Sequence, residues 1–132
     1  MKILSGVIFG SVFFFLFNTA HAEFPLKDFT RISGDALKTV LTGNVKHCSR
    51  DDGRKWDWSY YADGKVKGDD YRGNEDEGTW EINSDGDVCM DWKFEFRDIC
   101  RIIYQNQKNP QNIAYVGGNS GTLYTCNLKP IK

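Results

Sequence analysis

The four cysteines, Cys48, Cys89, Cys100 and Cys126, have the most clearly defined chemistry in this sequence. An even number of cysteines in a small exported domain predicts two disulfides, for which three pairings exist. A metal site is less favoured because no C-x-x-C spacing occurs. In addition, His47 is adjacent to Cys48, and strand alternation would point the two side chains to opposite faces. We favour the pairs Cys89 with Cys100 and Cys48 with Cys126, and we expect no metal and no cofactor.

Residues for catalysis are few. Nucleophilic catalysis usually needs a histidine base, and after residue 22 the chain contains only His47, beside a cysteine expected to be oxidised. Hydrolysis of a glycosidic bond could use Asp57, Asp91 or Glu95 as carboxylates next to tryptophan platforms. These acids alternate with aromatic residues, as the solvated face of a strand does. We therefore expect a protein that is not an enzyme.

Acidic residues are concentrated between Asp69 and Glu77, and their oxygens could bind Ca²⁺. The nearby segment 83–87 vaguely resembles a calcium loop, but it lacks the ligand spacing and the distal glutamate of an EF-hand. Its Asp85-Gly86 step is sufficiently explained by a hairpin turn. We interpret the segment from Asp69 to Glu77 as a solvated acidic loop, with a calcium site as the alternative.

Aromatic residues are the remaining candidates for binding a partner or a ligand. Most should fill the core, but loops on a rigid scaffold commonly carry recognition. The segment between Cys89 and Cys100 is aromatic and charged. The residues predicted to bind are Trp92, Phe94, Phe96 and Arg97, together with Trp56 and Trp58.

The elements that must position these residues are mainly β-strands. Apolar and polar residues alternate between closely spaced turn signals, as in antiparallel strands with one buried face. Eight short strands joined in order favour a small up-and-down barrel, because closure removes exposed edges. A two-sheet β-sandwich is the alternative. The predicted strands are about 44–49, 54–61, 65–71, 78–83, 87–93, 99–105, 112–116 and 121–127.

One short N-terminal helix is predicted within the segment from Phe24 to Gly43. Ser33 or Asp35 is a suitable N-cap, and Gly43 is a suitable stop. We expect this helix to cover one end of the sheet.

The favoured disulfide conflicts with the simplest hairpin between Cys89 and Cys100. Pairing these cysteines places the centre of the hairpin near Phe94 and turns residues 92–97 into a partly exposed aromatic loop. A tight turn at Arg97-Asp98 would instead leave this disulfide unable to form. We favour the disulfide and therefore the loop.

The first 22 residues have the features of a secretory signal. Lys2 precedes an apolar stretch, and Ala20-His21-Ala22 predicts cleavage before Glu23. As a helix, Ile3 to Phe17 would span roughly 22 Å, which is less than a hydrocarbon core of about 30 Å. Residues 23–132 then form one disulfide-bonded β-domain in the periplasm or outside the cell, with no transmembrane segment. The net charge is −1 at pH 7, or −2 without Lys2, and gives no general attraction to nucleic acid.

An ordered set of short motifs from about Asp35 to Tyr104 resembles a family of short exported bacterial proteins of unknown function. The resemblance implies a signal peptide, a small β-domain and a cysteine pair matching Cys89 and Cys100, but no catalytic or binding residues. The matching motifs are Leu41-Thr42-Gly43-Asn44, Tyr61-Ala62-Asp63-Gly64, Gly78-Thr79-Trp80, Asp85-Gly86-Asp87-Val88-Cys89, Trp92 and Cys100-Arg101-Ile102-Ile103-Tyr104.

These observations predict a non-catalytic binding protein. Its partner would be an envelope or extracellular protein, which it would serve as an inhibitor or an accessory subunit. The alternative is a carrier of a small hydrophobic ligand inside a lipocalin-like barrel, because an eight-stranded barrel is just wide enough to hold one.

Overall fold

The computed structural model describes residues 24–94, 96–117 and 121–132. The predicted signal peptide and its cleavage site before Glu23 lie outside these residues. The described chain is mainly antiparallel β-structure with one short helix, as predicted. The helix α1 is Gly34–Leu41, and the strands are β1 Phe29–Ile32, β2 Asn44–Ser49, β3 Lys55–Tyr60, β4 Lys65–Asp70, β5 Glu75–Ile82, β6 Val88–Trp92, β7 Ile99–Arg101, β8 Ile103–Asn106, β9 Asn112–Gly117 and β10 Thr122–Pro130.

All these strands belong to one curled sheet with the order β1-β8-β9-β10-β2-β3-β4-β5-β6-β7, so the sandwich alternative is wrong. Neighbouring strands are antiparallel, and β10 returns to pair with β2. The segment 99–106 contributes to both ends of the order, because β7 pairs with β6 while β8 pairs with β9 and β1. The chain itself thus connects the two ends of the sheet, and the fold is barrel-like.

The number and bounds of the strands differ from the prediction in three places. Strand β1 lies in the segment assigned to the helix and pairs with β8. The predicted strand 99–105 is interrupted at Ile102, because its two halves pair with different neighbours. Strand β5 begins at Glu75, so the predicted acidic loop from Asp69 to Glu77 is largely strand. Only a short turn, with Gly73 at φ 80°, separates β4 from β5.

The core lies on the inner face of the curled sheet, where every second residue of a strand points. Strand β5 is the clearest case, since its side chains alternate between exposed and buried from Glu75 to Glu81. Helix α1 packs Leu37 and Leu41 against β2 and β5, as expected for a helix that covers one end. Other fully buried residues on the inner face are Tyr60, Val66, Val88, Ile103 and Ile113.

The helix begins and ends close to the predicted residues. Ser33 is the N-cap in extended conformation, although its side chain makes no capping hydrogen bond. The helix ends at Leu41, and Gly43 follows at φ 77°, a conformation that glycine adopts without steric cost. The Gly43 N–H donates to the carbonyl of Tyr60 and joins the helix end to β3.

The two disulfides are the pairs that the sequence analysis favours. Cys48 and Cys126 face each other on β2 and β10, where the first long strand meets the last one. Cys89 and Cys100 face each other on β6 and β7, so the tight turn at Arg97-Asp98 is wrong. Disulfides of this kind are typical of oxidising compartments, either periplasmic or extracellular.

The two bonds should contribute unequally to stability, because they close loops of different length. The pairs are separated by 78 residues for Cys48–Cys126 and by 11 for Cys89–Cys100. The chain-entropy relation gives about 4.5 and about 2.8 kcal/mol. In urea unfolding, the free energy of unfolding should therefore fall more for the double variant Cys48→Ala/Cys126→Ala than for Cys89→Ala/Cys100→Ala. The reverse order would show that strain or residual structure, not loop length, governs these bonds.

Candidate functional site

The connection between β6 and β7 is held by carboxylates. This β6–β7 loop spans residues 93–98, of which the structure describes all but residue 95. The Asp76 carboxylate accepts hydrogen bonds from the backbone N–H of Phe94 at 3.1 Å and of Phe96 at 2.9 Å. The Asp98 carboxylate accepts one from the backbone N–H of Trp92 at 2.8 Å. Charge-assisted bonds of this type are stronger than neutral ones, so the described part of the loop has a defined backbone conformation.

The predicted binding residues of this segment divide into two groups. Phe94 is 76% exposed, and Arg97 is exposed as well. Trp92 differs from the expected loop position, because it is the last residue of β6, pairs with Gly78 and is only 6% exposed. Phe96 is partly buried against the core. Exposed surface for a partner is therefore available at Phe94 and Arg97.

Trp58, Trp92 and Phe96 form an aromatic cluster inside the barrel. The ring centroids are 5.3 Å apart for Trp58 and Trp92, and 4.9 Å apart for Trp92 and Phe96, both edge-to-face. Gly68 makes this packing possible, since a Cβ atom there would lie 2.8–2.9 Å from all three rings. The cluster anchors the β6–β7 loop to the core.

Trp56 lies nearer the open end of the inner face and is partly buried. Its ring meets Tyr71 and Tyr124 edge-to-face, at 6.1 and 5.5 Å. Beside it is a cavity of about 310 Å³, the mouth cavity, at the small end of the range for ligand sites. Residues lining the mouth cavity include Trp56, Trp58, Arg72, Phe96, Arg97 and Arg101.

A lysine is buried against Trp58, one of the residues that line this cavity. Lys46 is 1% exposed, and its Nζ lies 4.3 Å from the ring centroid of Trp58, 4.8 Å from that of Tyr115 and 5.6 Å from that of Tyr60. Within the described ranges the Nζ has no hydrogen-bond partner. Aromatic faces attract a cation, but they do not replace the hydrogen bonds it makes in water.

Arg101 is a second cation on the inner face. Its guanidinium carbon lies 5.2 Å from the ring centroid of Tyr115. Gly117 leaves room for it, because a Cβ there would lie 3.1 Å from the guanidinium. In the part of the chain that the structure describes, no carboxylate oxygen lies within 4.0 Å of the Lys46 ammonium or the Arg101 guanidinium.

Sequence reasoning missed both cations, because lysine and arginine side chains are almost always solvated. The signal was available for Lys46, which lies two residues before Cys48 and therefore on the same face of β2. Arg101 lies two residues before buried Ile103, but the interruption at Ile102 obscures that relation.

The buried position of Lys46 alters its protonation. Burial, and then the charge of Arg101, lower the pKa of Lys46 from 10.5 to about 7. Burial raises the pKa of Tyr60 and of Tyr115 well above the ordinary tyrosine value. Both phenols therefore stay neutral near pH 7 and do not neutralise the cations.

Outside the barrel, Asp57, Asp69 and Glu75 lie opposite one another on β3, β4 and β5. His47 Nδ1 lies 2.6 Å from Asp57 Oδ1. Burial, and then the neighbouring carboxylates, raise the pKa of Asp69. Among the described residues, no group of three or more His, Cys, Asp or Glu side chains is placed to hold a metal ion.

Of the residues considered for glycoside chemistry, Asp57 and Asp91 are not brought together with the tryptophans. Asp57 and Asp91 lie on the opposite face of β3 and β6 from the tryptophans, and Glu95 lies outside the described residues. The tryptophans Trp56, Trp58 and Trp92 point to the inner face.

Comparisons with known proteins add no identity. No protein-family model and no curated protein matches this sequence.

No helix in the described ranges is long and apolar enough to cross a membrane.

Replacing Lys46 tests the burial of its charge. Because its folded pKa is lowered, the unfolded chain binds more protons between pH 7 and about 10, and the free energy of unfolding should rise across this window. The slope should approach about 1.4 kcal/mol per pH unit. Above pH 10 ionisation of the unfolded tyrosines opposes this rise. The free energy of unfolding of Lys46→Met should exceed that of the wild type by about 1–4 kcal/mol at pH 7. It should no longer rise with pH, as measured by urea unfolding from pH 7 to 9.5.

The matched control is Lys67→Met, which removes an exposed lysine of β4. This variant should keep the wild-type slope. A Lys46→Met protein with the wild-type slope would show that the Lys46 amine is solvated.

Proposed function

We propose that this protein is an exported, non-catalytic binding protein that engages an envelope or extracellular protein through the β6–β7 loop. The observation that carries the proposal is Phe94, which is 76% exposed although its backbone N–H is fixed by the buried Asp76 carboxylate. A preordered loop loses little conformational entropy on binding. Aromatic and arginine side chains are also the usual anchors of protein interfaces, and Arg97 is the second exposed anchor residue in the same loop.

The surroundings of the loop support an inhibitor-like or accessory role. The Cys89–Cys100 disulfide closes the strands at the base of the loop. On the other side, Lys93 forms an exposed ion pair with Glu77 at 3.1 Å. These links hold the backbone on both sides of Phe94. An exposed ring on such a loop suits insertion into a pocket of a partner.

Export is supported by two independent features. The first 22 residues carry the pattern of a cleaved signal peptide. The two disulfides require an oxidising compartment for their formation. Both features support our proposal that the protein acts in the periplasm or outside the cell, as the resemblance to short exported bacterial proteins implies.

A second candidate function is supported by the mouth cavity. Its volume of about 310 Å³ suits one small ligand, as a carrier requires. The wall contains aromatic rings, which would accept the hydrophobic ligand expected from a lipocalin-like barrel. Deeper in the barrel Tyr60, Trp80 and Met90 fill the interior, so the ligand would lie at the mouth.

Phe94→Ala combined with Arg97→Ala should remove partner binding without affecting the fold. Both side chains are exposed, so Tm should change by less than about 4 °C. The affinity for the partner should fall at least about ten-fold. The immobilised mature protein would capture partners from an envelope extract of its source cell, and Kd would be measured for each enriched protein.

Two variants complete this test. Val116→Ala removes an exposed apolar side chain from β9 and should leave capture unchanged. Trp92→Ala removes a buried ring and should lower the free energy of unfolding by about 3–5 kcal/mol. Equal capture by wild type and the double variant would contradict the proposed role of the loop.

A further inference from the structure

We propose that the mouth cavity binds a small aromatic carboxylate, with its acidic group on Arg101 above Lys46 and its ring among the aromatic residues of the wall. This goes beyond the proposed function, which concerns the exposed face of the β6–β7 loop. It also differs from the hydrophobic carrier, because it assigns a negative charge to the ligand.

The first observation is an excess of donors around the cavity. Four buried nitrogen atoms in this region have no hydrogen-bond partner within the described residues: Lys46 Nζ, Arg101 Nε, Trp58 Nε1 and Trp92 Nε1. All four carry protons to donate, and a buried donor without an acceptor is unfavourable. Trp58 and Arg101 line the mouth cavity directly. A ligand that supplies acceptor oxygens would satisfy donors that the described protein groups leave unsatisfied.

The second observation is an excess of positive charge. Lys46 is 1% exposed and, like Arg101, has no carboxylate within 4.0 Å in the described part of the chain. Arg72 and Arg97 add further positive charge at the rim. Buried charges are usually paired, because desolvation without a counter-ion is costly. An anionic ligand would be the counter-ion.

Asp70 is the acidic residue in the cavity wall, but its oxygens are engaged elsewhere. Oδ1 accepts hydrogen bonds from the backbone N–H of Arg72 at 2.9 Å and of Asn74 at 3.0 Å. Oδ2 accepts one from the Asn74 side chain at 3.1 Å. Asp70 thus closes the β4–β5 turn and leaves Arg101 available to a ligand.

The apolar part of the cavity wall indicates what chemical group the rest of the ligand carries. Trp56, Phe96 and Ile99 line the same cavity as Arg101. Flat aromatic faces stack well against another ring. The volume of about 310 Å³ accommodates a single ring with its acidic group but no extended lipid. A carboxylate on one aromatic ring therefore matches both halves of the cavity better than an inorganic anion does.

Benzoate and its neutral isostere benzamide test this assignment on the mature protein. Isothermal titration calorimetry at pH 6.5 should show that benzoate binds at least about ten-fold more tightly than benzamide. Inorganic phosphate should bind more weakly than benzoate, because it lacks the ring. Equal binding of benzoate and benzamide would overturn the anionic ligand in favour of an apolar one. Equal binding of phosphate and benzoate would overturn the aromatic class, and no benzoate binding at about 10 mM would overturn the site itself.

Variants locate the binding in the cavity. Arg101→Met should weaken benzoate binding at least about ten-fold, while Arg101→Lys should restore part of it. Lys67→Met, on the outer face, should have no effect. If Arg101→Met does not fold, Lys46→Met serves instead and should also lower the affinity for benzoate. Unchanged affinity in the folded cavity variants would contradict the assignment.

The pH dependence gives a separate readout. Lys46 faces Trp58 and Tyr60 on β3, Tyr115 on β9 and Arg101 on β7, and its own protonation changes near neutrality. Benzoate affinity should therefore fall as pH rises from 6.5 to 9, because the ammonium loses its proton while benzoate remains ionised. Lys46→Met should remove this fall. A wild-type affinity that does not change over this range would exclude Lys46 from the site.

The single variant Phe94→Ala separates this inference from the proposed function, because Arg97 lines the mouth cavity. Phe94 does not line the mouth cavity, so Phe94→Ala alone should leave benzoate affinity unchanged while weakening capture of a protein partner. Loss of partner capture with normal benzoate binding would support both proposals. Loss of benzoate binding in Phe94→Ala would contradict the separation of the two sites.

Discussion

Lys46 is a charged residue on the inner face of a sheet, and much of the interior is arranged around it. The ring centroids of Trp58, Tyr115 and Tyr60 lie between 4.3 and 5.6 Å from its ammonium. Cation–π attraction offsets part of the desolvation, but Arg101 adds a second positive charge to the same interior. The barrel therefore contains an electrostatic imbalance that its aromatic residues reduce and an anion would remove.

The covalent and steric features of the fold maintain this interior. The Cys48–Cys126 disulfide joins β2 to β10, which are neighbours in the middle of the strand order, two residues from Lys46. Gly68 admits the three rings of the aromatic cluster, and Gly117 admits the guanidinium of Arg101. The Cys89–Cys100 disulfide on the outer face and the buried carboxylate of Asp76 fix the β6–β7 loop, whose residues Phe96 and Arg97 line the mouth cavity. The exposed loop and the cavity thus depend on one set of strands.

The outline of this fold could be predicted because it follows from the alternation of apolar and polar residues along each strand and from the number of cysteines. The aromatic face of β3 and the hairpins at Asp-Gly steps required only period-two patterns and turn residues, and the number of cysteines predicted two disulfides. Strand β1 and the break at Ile102 could not be predicted, because they depend on which distant strand each segment pairs with. Likewise Glu75 to Glu77 looked like a loop by charge, although pairing with β4 makes it strand. The cations Lys46 and Arg101 were missed because lysine and arginine are almost always solvated.

The protonation of Lys46 tests the central claim of a buried, unpaired cation most directly. Magnetic resonance of isotope-labelled lysine side chains would follow each Nζ through a pH titration of the mature protein. The structure leads us to expect one lysine with a pKa of about 7, well below the ordinary value of 10.5, and its signal should be absent from Lys46→Met. If all lysines instead titrate near 10.5, the ammonium of Lys46 is solvated and the cation-lined interior described above is wrong.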